Sequence, residues 1–275
     1  MKHIRESAAL IILPAVALGV LAMIVGGVSP ALWGQQAAAW LVLGLLVFAL
    51  HRAAARIPDA VWSAALLLFL ALSLLGQEVG GARRWVNLIV FHAHAAMLVL
   101  PALLVVLGRA NMPYPALLAS AAVLCVQPDM TQLAAFSAAA LPVLWRRRGR
   151  LRFACAAALA GMIILCLQRP VQIEPVPYCE GILTMLRERS ALLAAAGVIA
   201  LWAVPARWAF GFLAQRRTYM LSLAVYYAVW LLLSASGHCP VPLMGFGLSP
   251  IAGYYLAHLA NAPQEYGEKR EEAEN

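Results

Sequence analysis

Residues 133–167 read LAAFSAAALPVLWRRRGRLRFACAAALAGMIILCL, two apolar runs separated by Arg146, Arg147, Arg148, Arg150 and Arg152. Runs of this kind recur along the whole chain. Hydrophobic residues make up 64% and charged residues 12% of the 275, with a mean hydropathy of +0.82, against about 45–50% apolar and about 25% charged in a soluble domain. The sequence therefore describes an integral membrane protein. Crossing a bilayer takes roughly 20 apolar residues per helix. Reading the runs between charged, Gly and Pro punctuation gives ten candidate segments, at 8–28, 37–51, 60–76, 92–108, 113–127, 130–145, 153–168, 190–206, 218–236 and 242–260. The expectation is an all-α, polytopic membrane protein of about ten transmembrane helices, with residues 1–260 as its transmembrane domain.

The basic residues test that topology independently. With the N-terminus inside, fifteen of the 20 Lys and Arg fall in inside segments, among them the run Arg146–Arg152, and the other five, Arg83, Arg84, Arg169, Arg187 and Arg189, fall outside. A bias of this kind is what the positive-inside rule requires, and it places both termini in the cytoplasm. Most of the formal charge of +8 and the pI near 9.6 is thereby a topology signal, not a nucleic-acid footprint. The arginine run has contact with membrane lipids as its second reading. The apolar run near the N-terminus exceeds the roughly 7–15 residues of a signal peptide's core, so it is read as the first span. Residues 261–275, NAPQEYGEKREEAEN, are read as a short acidic cytoplasmic tail without a fold of its own.

The functional candidates are polar groups on the outer side. Arg83 and Arg84 sit there against the charge rule, followed by Trp85; they either bind outer-leaflet phosphates with the tryptophan as an interface anchor, or present guanidinium forks to a pyrophosphate. The turn VQPDMTQ carries Gln127 and Asp129, and the aspartate either caps the next helix or belongs to a site. His92 and His94, with His238 and Cys239 further on, invite a metal reading, but residues two apart on a helix point away from each other, so no metal site is assigned. Cys179 and Cys239 fall in outer loops, where a disulfide is chemically possible. Finally, Glu174, Glu180 and Glu188 gather between residues 168 and 190 of a chain with only 12 acidic residues.

In order along the chain these motifs resemble the SEDS family (shape, elongation, division and sporulation), the RodA and FtsW type of bacterial cell-wall polymerases. GARRW at Gly81–Trp85, VQPD at Val126–Asp129 and PLMGFGLSP at Pro242–Pro250, with Gly245, Gly247 and Ser249, match three family motifs. In the fourth, PVPYCEGILTMLRE, Pro175 stands at the family's proline, Glu180 at its proposed catalytic aspartate and Glu188 at a later acidic position.

The resemblance implies polymerisation of a polyprenyl-linked peptidoglycan precursor in the bacterial inner membrane. Glu180 would be the general base, and Arg83 and Arg84, with Trp85, Gln127, Asp129 and possible help from a divalent cation, would bind the pyrophosphate. A single-span cell-wall transpeptidase is the implied protein partner. Two departures stand out. The family's Glu-Lys ion pair after GA+RW is replaced by Met97 and Leu100, and the last motif has Leu248 at a glycine and Pro250 at a serine. Three readings follow: a divergent glycosyltransferase, a non-catalytic relative that binds a lipid precursor or division partner, and a lipid or solute transporter.

Overall fold

The computed structural model describes residues 2–88, 92–169, 171, 173–237 and 239–274, with side chains between residues 8 and 262. Among the described residues there are eleven α-helices and one two-stranded hairpin: α1 (Lys2–Val25), α2 (Pro30–Ala54), α3 (Asp59–Leu72), β1 (Trp85–Asn87), β2 (His92–His94), α4 (Ala95–Arg109), α5 (Tyr114–Val126), α6 (Met130–Trp145), α7 (Leu151–Leu167), α8 (Ile182–Arg189), α9 (Ala191–Gln215), α10 (Thr218–Ser234) and α11 (Leu248–Glu274). Ten of these follow the ten apolar segments. The eleventh, α8, is an eight-residue helix within the acidic stretch. The protein is an all-α polytopic membrane protein, and α1, α2 and α9 are by length and composition sufficient to cross a bilayer alone.

The segment between residues 126 and 130 is a turn, as the sequence requires, and Asp129 caps α6 by accepting from the Gln132 N–H at 3.3 Å. Elsewhere the boundaries shift for local reasons. The fourth segment begins as strand β2, and the helix starts only at Ala95. Helix α11 continues through the acidic tail to Glu274, in place of the irregular end expected; its Gln, Glu, Lys, Arg and Ala are all good helix formers.

Helix α4 is the axis of the bundle. Almost every one of its residues is buried, and it packs on α11, α3, α10 and α6. By contrast α2, α7 and α9 expose large apolar side chains, among them Leu45, Phe48, Phe153, Ile199 and Phe210, which is the expected pattern for helices on the lipid-facing rim. Two contacts set the central packing. At Gly253 a Cβ would collide with the backbone oxygens of Met97 and Leu98, so only glycine lets α11 lie this close to α4. At the other end of α4, Arg109 forks onto Asp59 with Nε–Oδ2 3.1 Å and Nη2–Oδ1 2.5 Å, and gives Nη1 to the Ala260 carbonyl at 2.7 Å. One side chain thus ties α3, α4 and α11 together through a bidentate, charge-assisted pair.

Gly253→Ala should therefore destabilise the protein by about 1–3 kcal/mol, the usual cost of overpacking, read as a lower melting temperature in detergent. Gly161→Ala, on α7 with nothing within 4 Å of the new methyl, should be neutral or stabilising, since alanine is the better helix former.

Candidate active site

Four outer segments meet over the start of α4. The hairpin pairs Trp85 with His94, Val86 with Ala93 and Asn87 with His92. The loop before α8 is stitched to the loop before α11 by Val241 N–H to Cys179 O (3.2 Å) and Phe246 N–H to Tyr178 O (2.8 Å). Between them lies a cavity of about 460 Å³ lined by Trp85, His94, Met97, Glu174, Glu180, Gly247 and Ser249, among others. A second chamber of about 60 Å³ adjoins it, sharing Trp85, His94, Met97 and Glu180 and adding Arg84, Asp129, Thr131 and Cys239.

Glu180 sits on a tight turn whose amides point back on themselves: Cys179 and Glu180 N–H both donate to Val176 O, and Glu180 Oε2 accepts the Val176 N–H at 2.7 Å. Gly181 permits that fold, because a Cβ there would meet Pro177 O at 2.8 Å. The carboxylate is held by backbone at the boundary of both chambers, half-buried. Asp129 is almost fully buried, and its Oδ2 lies 3.4 Å from His94 Nε2. Arg84 reaches the same chamber and donates to the Pro128 carbonyl.

His94 links these groups. Its backbone N–H donates to Ser249 Oγ at 2.8 Å, its ring Nδ1 accepts from the Met97 N–H at 3.5 Å as the cap of α4, and Trp85 meets its ring edge-on at 5.6 Å. With Nδ1 accepting, the neutral ring carries its proton on Nε2, the nitrogen that faces the Asp129 carboxylate.

Several sequence expectations change here. Arg83 and Arg84 do not form a two-arginine clamp: Arg83 turns outward to Glu78 at 3.2 Å, half exposed, because consecutive residues of an extended segment face opposite ways. Gln127 is fully buried outside both chambers, donating to Leu70 O and Ser73 Oγ, so it braces α5 against α3. Glu188 lies on the exposed face of α8, whose buried face is Ile182 and Leu186. Of the glycines, Gly247 lines the cavity, while Gly245 allows backbone contact, since a Cβ there would collide with Cys179 O.

His92 and His94 lie on a strand, not a helix, so the helical argument about their directions does not apply. Among the described residues no three His, Cys, Asp or Glu gather as metal ligands, and His238 lies outside those residues. Cys179 and Cys239 are free thiols. Burial pushes their pKa values up to about 12 and about 11, which keeps them protonated and weakly nucleophilic.

One contributor escaped the sequence reading. Gln36, fully buried in α2, donates Nε2 to Gly245 O and accepts the Gly247 N–H at Oε1, both at 3.0 Å. Its signal was the pair Gln35-Gln36 at the edge of an apolar run, where a polar side chain is costly and therefore informative. Glu174, named in the sequence only as one of the gathered acids, is exposed and also lines the larger cavity.

Comparison with solved structures matches this architecture from end to end. Crystal structures of the Rod shape determining protein RodA of Thermus thermophilus superpose with a TM-score of 0.68 at 22% identity, and for a point mutant 0.70 at 21%, each over 94% of this chain and 97% of the other. The chain has the RodA fold. A component of a peptidoglycan synthase complex, described as coordinating polymerization and crosslinking, matches at 0.62 with 20% identity over 95% of this chain and 98% of its own. No family model and no curated protein matches the sequence. Within its RodA fold, residues of three of the quoted motifs line the larger cavity, Asp129 of the fourth lines the smaller chamber beside it, and Met97 lies in the wall of both.

Proposed function

We propose that this protein is a SEDS-type membrane protein of bacterial cell-wall synthesis that polymerises a polyprenyl-linked peptidoglycan precursor in the inner membrane, with Glu180 as general base. One observation carries the reading. Glu180, singled out by motif position alone, lines the same chamber as Arg84 and Asp129, two residues drawn from separate motifs.

The chemistry follows from that placement. The acceptor sugar hydroxyl attacks the anomeric carbon of the donor; a new C–O bond forms as the bond to the diphosphate breaks. Glu180 takes the hydroxyl proton, and the diphosphate leaves as an anion whose charge Arg84 offsets. Asp129, whose carboxylate faces His94 at 3.4 Å, lines the chamber beside Arg84. The described residues bring no third ligand beside the two carboxylates, so no step is routed through a divalent cation. The larger cavity holds part of the disaccharide headgroup, and the polyprenyl chain runs along the lipid-facing rim. A single-span transpeptidase is the proposed partner, in line with the synthase complex whose component shares the fold.

A second reading has its own support. One Glu180 oxygen is already engaged by the Val176 amide, and Met97 and Leu100 bring no charge to the start of α4. Both facts favour a relative that binds the precursor without polymerising it.

Purified protein given lipid II should produce glycan strands, and Glu180→Gln should cut the rate by about 10²–10⁴-fold, the usual contribution of a general base. If wild type is inert while precursor binds tightly, the non-catalytic reading replaces the enzyme. Within the active case, Arg84→Gln should reduce turnover at least about tenfold, whereas Arg83→Gln, on an exposed ion pair, should change it little.

A further inference from the structure

The larger cavity carries hydrogen-bonding groups that the proposed reaction does not use, and they come from outside the four sequence motifs. Gln35 stands beside Gln36 near the start of α2. Gln36 is turned into the core by its bonds to Gly245 O and the Gly247 N–H; successive residues of a helix point about 100° apart, and Gln35 lines the cavity. His92 lines it from β2, held at Nδ1 by Asn87 Oδ1 at 2.6 Å. With Nδ1 donating to that amide oxygen, Nε2 is left as an acceptor. Glu174 lines the cavity from the loop before α8 and is exposed. Among the described residues neither Gln35 nor Glu174 has a hydrogen-bond or ion-pair partner.

The chemistry of these groups selects a ligand class. A carboxylate and an imidazole nitrogen accept, and an amide both donates and accepts, while the half-buried rings of Trp85 and Phe246 line the same cavity. A hexopyranose offers the complement: hydroxyls around a ring whose C–H faces are apolar. At about 460 Å³ the cavity falls in the roughly 300–1,000 Å³ range of small-molecule sites. A diphosphate placed here would meet two carboxylates, Glu174 and Glu180, at an electrostatic cost, whereas Arg84 lines the smaller chamber. Glu180 lines both. With the diphosphate leaving on the Arg84 side, a nucleophile entering opposite to it comes from the larger cavity.

We propose that Gln35, His92 and Glu174 form the subsite for the acceptor sugar, hydrogen-bonding hydroxyls that neighbour the one Glu180 deprotonates, with Trp85 and Phe246 against the sugar ring. They are specificity-determining residues and take no part in the bond exchange. The subsite's assignment to the acceptor rests on the polymerising function proposed above; its preference for a sugar stands on the cavity alone.

The test measures initial rates of the full-length protein in detergent against lipid II concentration, and competition of N,N′-diacetylchitobiose, an uncharged disaccharide, with fluorescent lipid II for binding. Glu174→Ala and Gln35→Ala should each raise KM about fivefold or more with kcat within about threefold, whereas Glu180→Gln lowers kcat. Glu174→Gln, which keeps one acceptor oxygen, should fall between wild type and Glu174→Ala. Glu188→Ala, the same truncation on the exposed face of α8, should change KM less than about twofold. Disaccharide competition reads the subsite without turnover and should weaken about fivefold or more in Glu174→Ala and Gln35→Ala. Melting curves check the fold; if Gln35→Ala does not fold, the variants of the exposed Glu174 decide. If wild type makes no glycan, the polymerising function fails by itself, and competition that is present in wild type and lost in these variants still upholds a sugar site. Unchanged KM and competition in the Glu174 and Gln35 variants, tighter lipid II binding by Glu174→Gln as an anion in the cavity would give, or no competition by the disaccharide in wild type would each overturn the proposal.

Discussion

Gln36 sits in the second helix, fully buried, and uses both ends of its side-chain amide on the backbone of Gly245 and Gly247, more than 200 residues away. In an apolar bundle an unpaired amide on either side would cost roughly 1–3 kcal/mol or more, so this exchange fixes where the last loop enters α11. The consequences run inward in sequence. The placed loop presents Ser249 to the His94 N–H, His94 caps α4 and meets Asp129, and Asp129 lies in the chamber that Arg84 enters. Glycine is required at Gly245 because the paired loop carrying Glu180 passes directly over it.

The lengths of the central helices explain why a cavity exists at all. Helix α4 has 15 residues, a rise of about 22 Å, short of a hydrocarbon core about 30 Å thick. The hairpin and loops that complete its outer end thus sit at a depth where irregular backbone is tolerated only if buried in protein or lining a polar cavity. The structure uses both solutions: backbone pairs within the hairpin and between the two loops, and Arg84, Asp129 and Glu180 face the smaller chamber.

Polar groups of the smaller chamber are fixed by their neighbours. Arg84 donates to the Pro128 carbonyl, Asp129 caps α6, and His94 caps α4 with its Nε2 turned to the Asp129 carboxylate at 3.4 Å. Met97 and Leu100, on α4, bring no charge to this arrangement.

The sequence by itself determined the membrane environment, the number and order of the apolar helices, the turn at Pro128-Asp129 with its helix cap, and the short set of outer motifs in which Glu180, Arg84 and Asp129 appear. These are legible because hydropathy, charge bias and capping are local: they depend on residues a few positions apart. Only the tertiary structure decided that Arg83 faces away while Arg84 faces in, that Gln127 is a brace, that Glu174 reaches the cavity where Glu188 does not, and that Gln36 and His94 are the joints of the site. His92 and His94 show the limit most clearly, since their relative direction depends on whether the segment is strand or helix. That choice is made by pairing with Trp85–Asn87 across the hairpin, and the function of each side chain follows from contacts between segments distant in sequence, which no local pattern encodes.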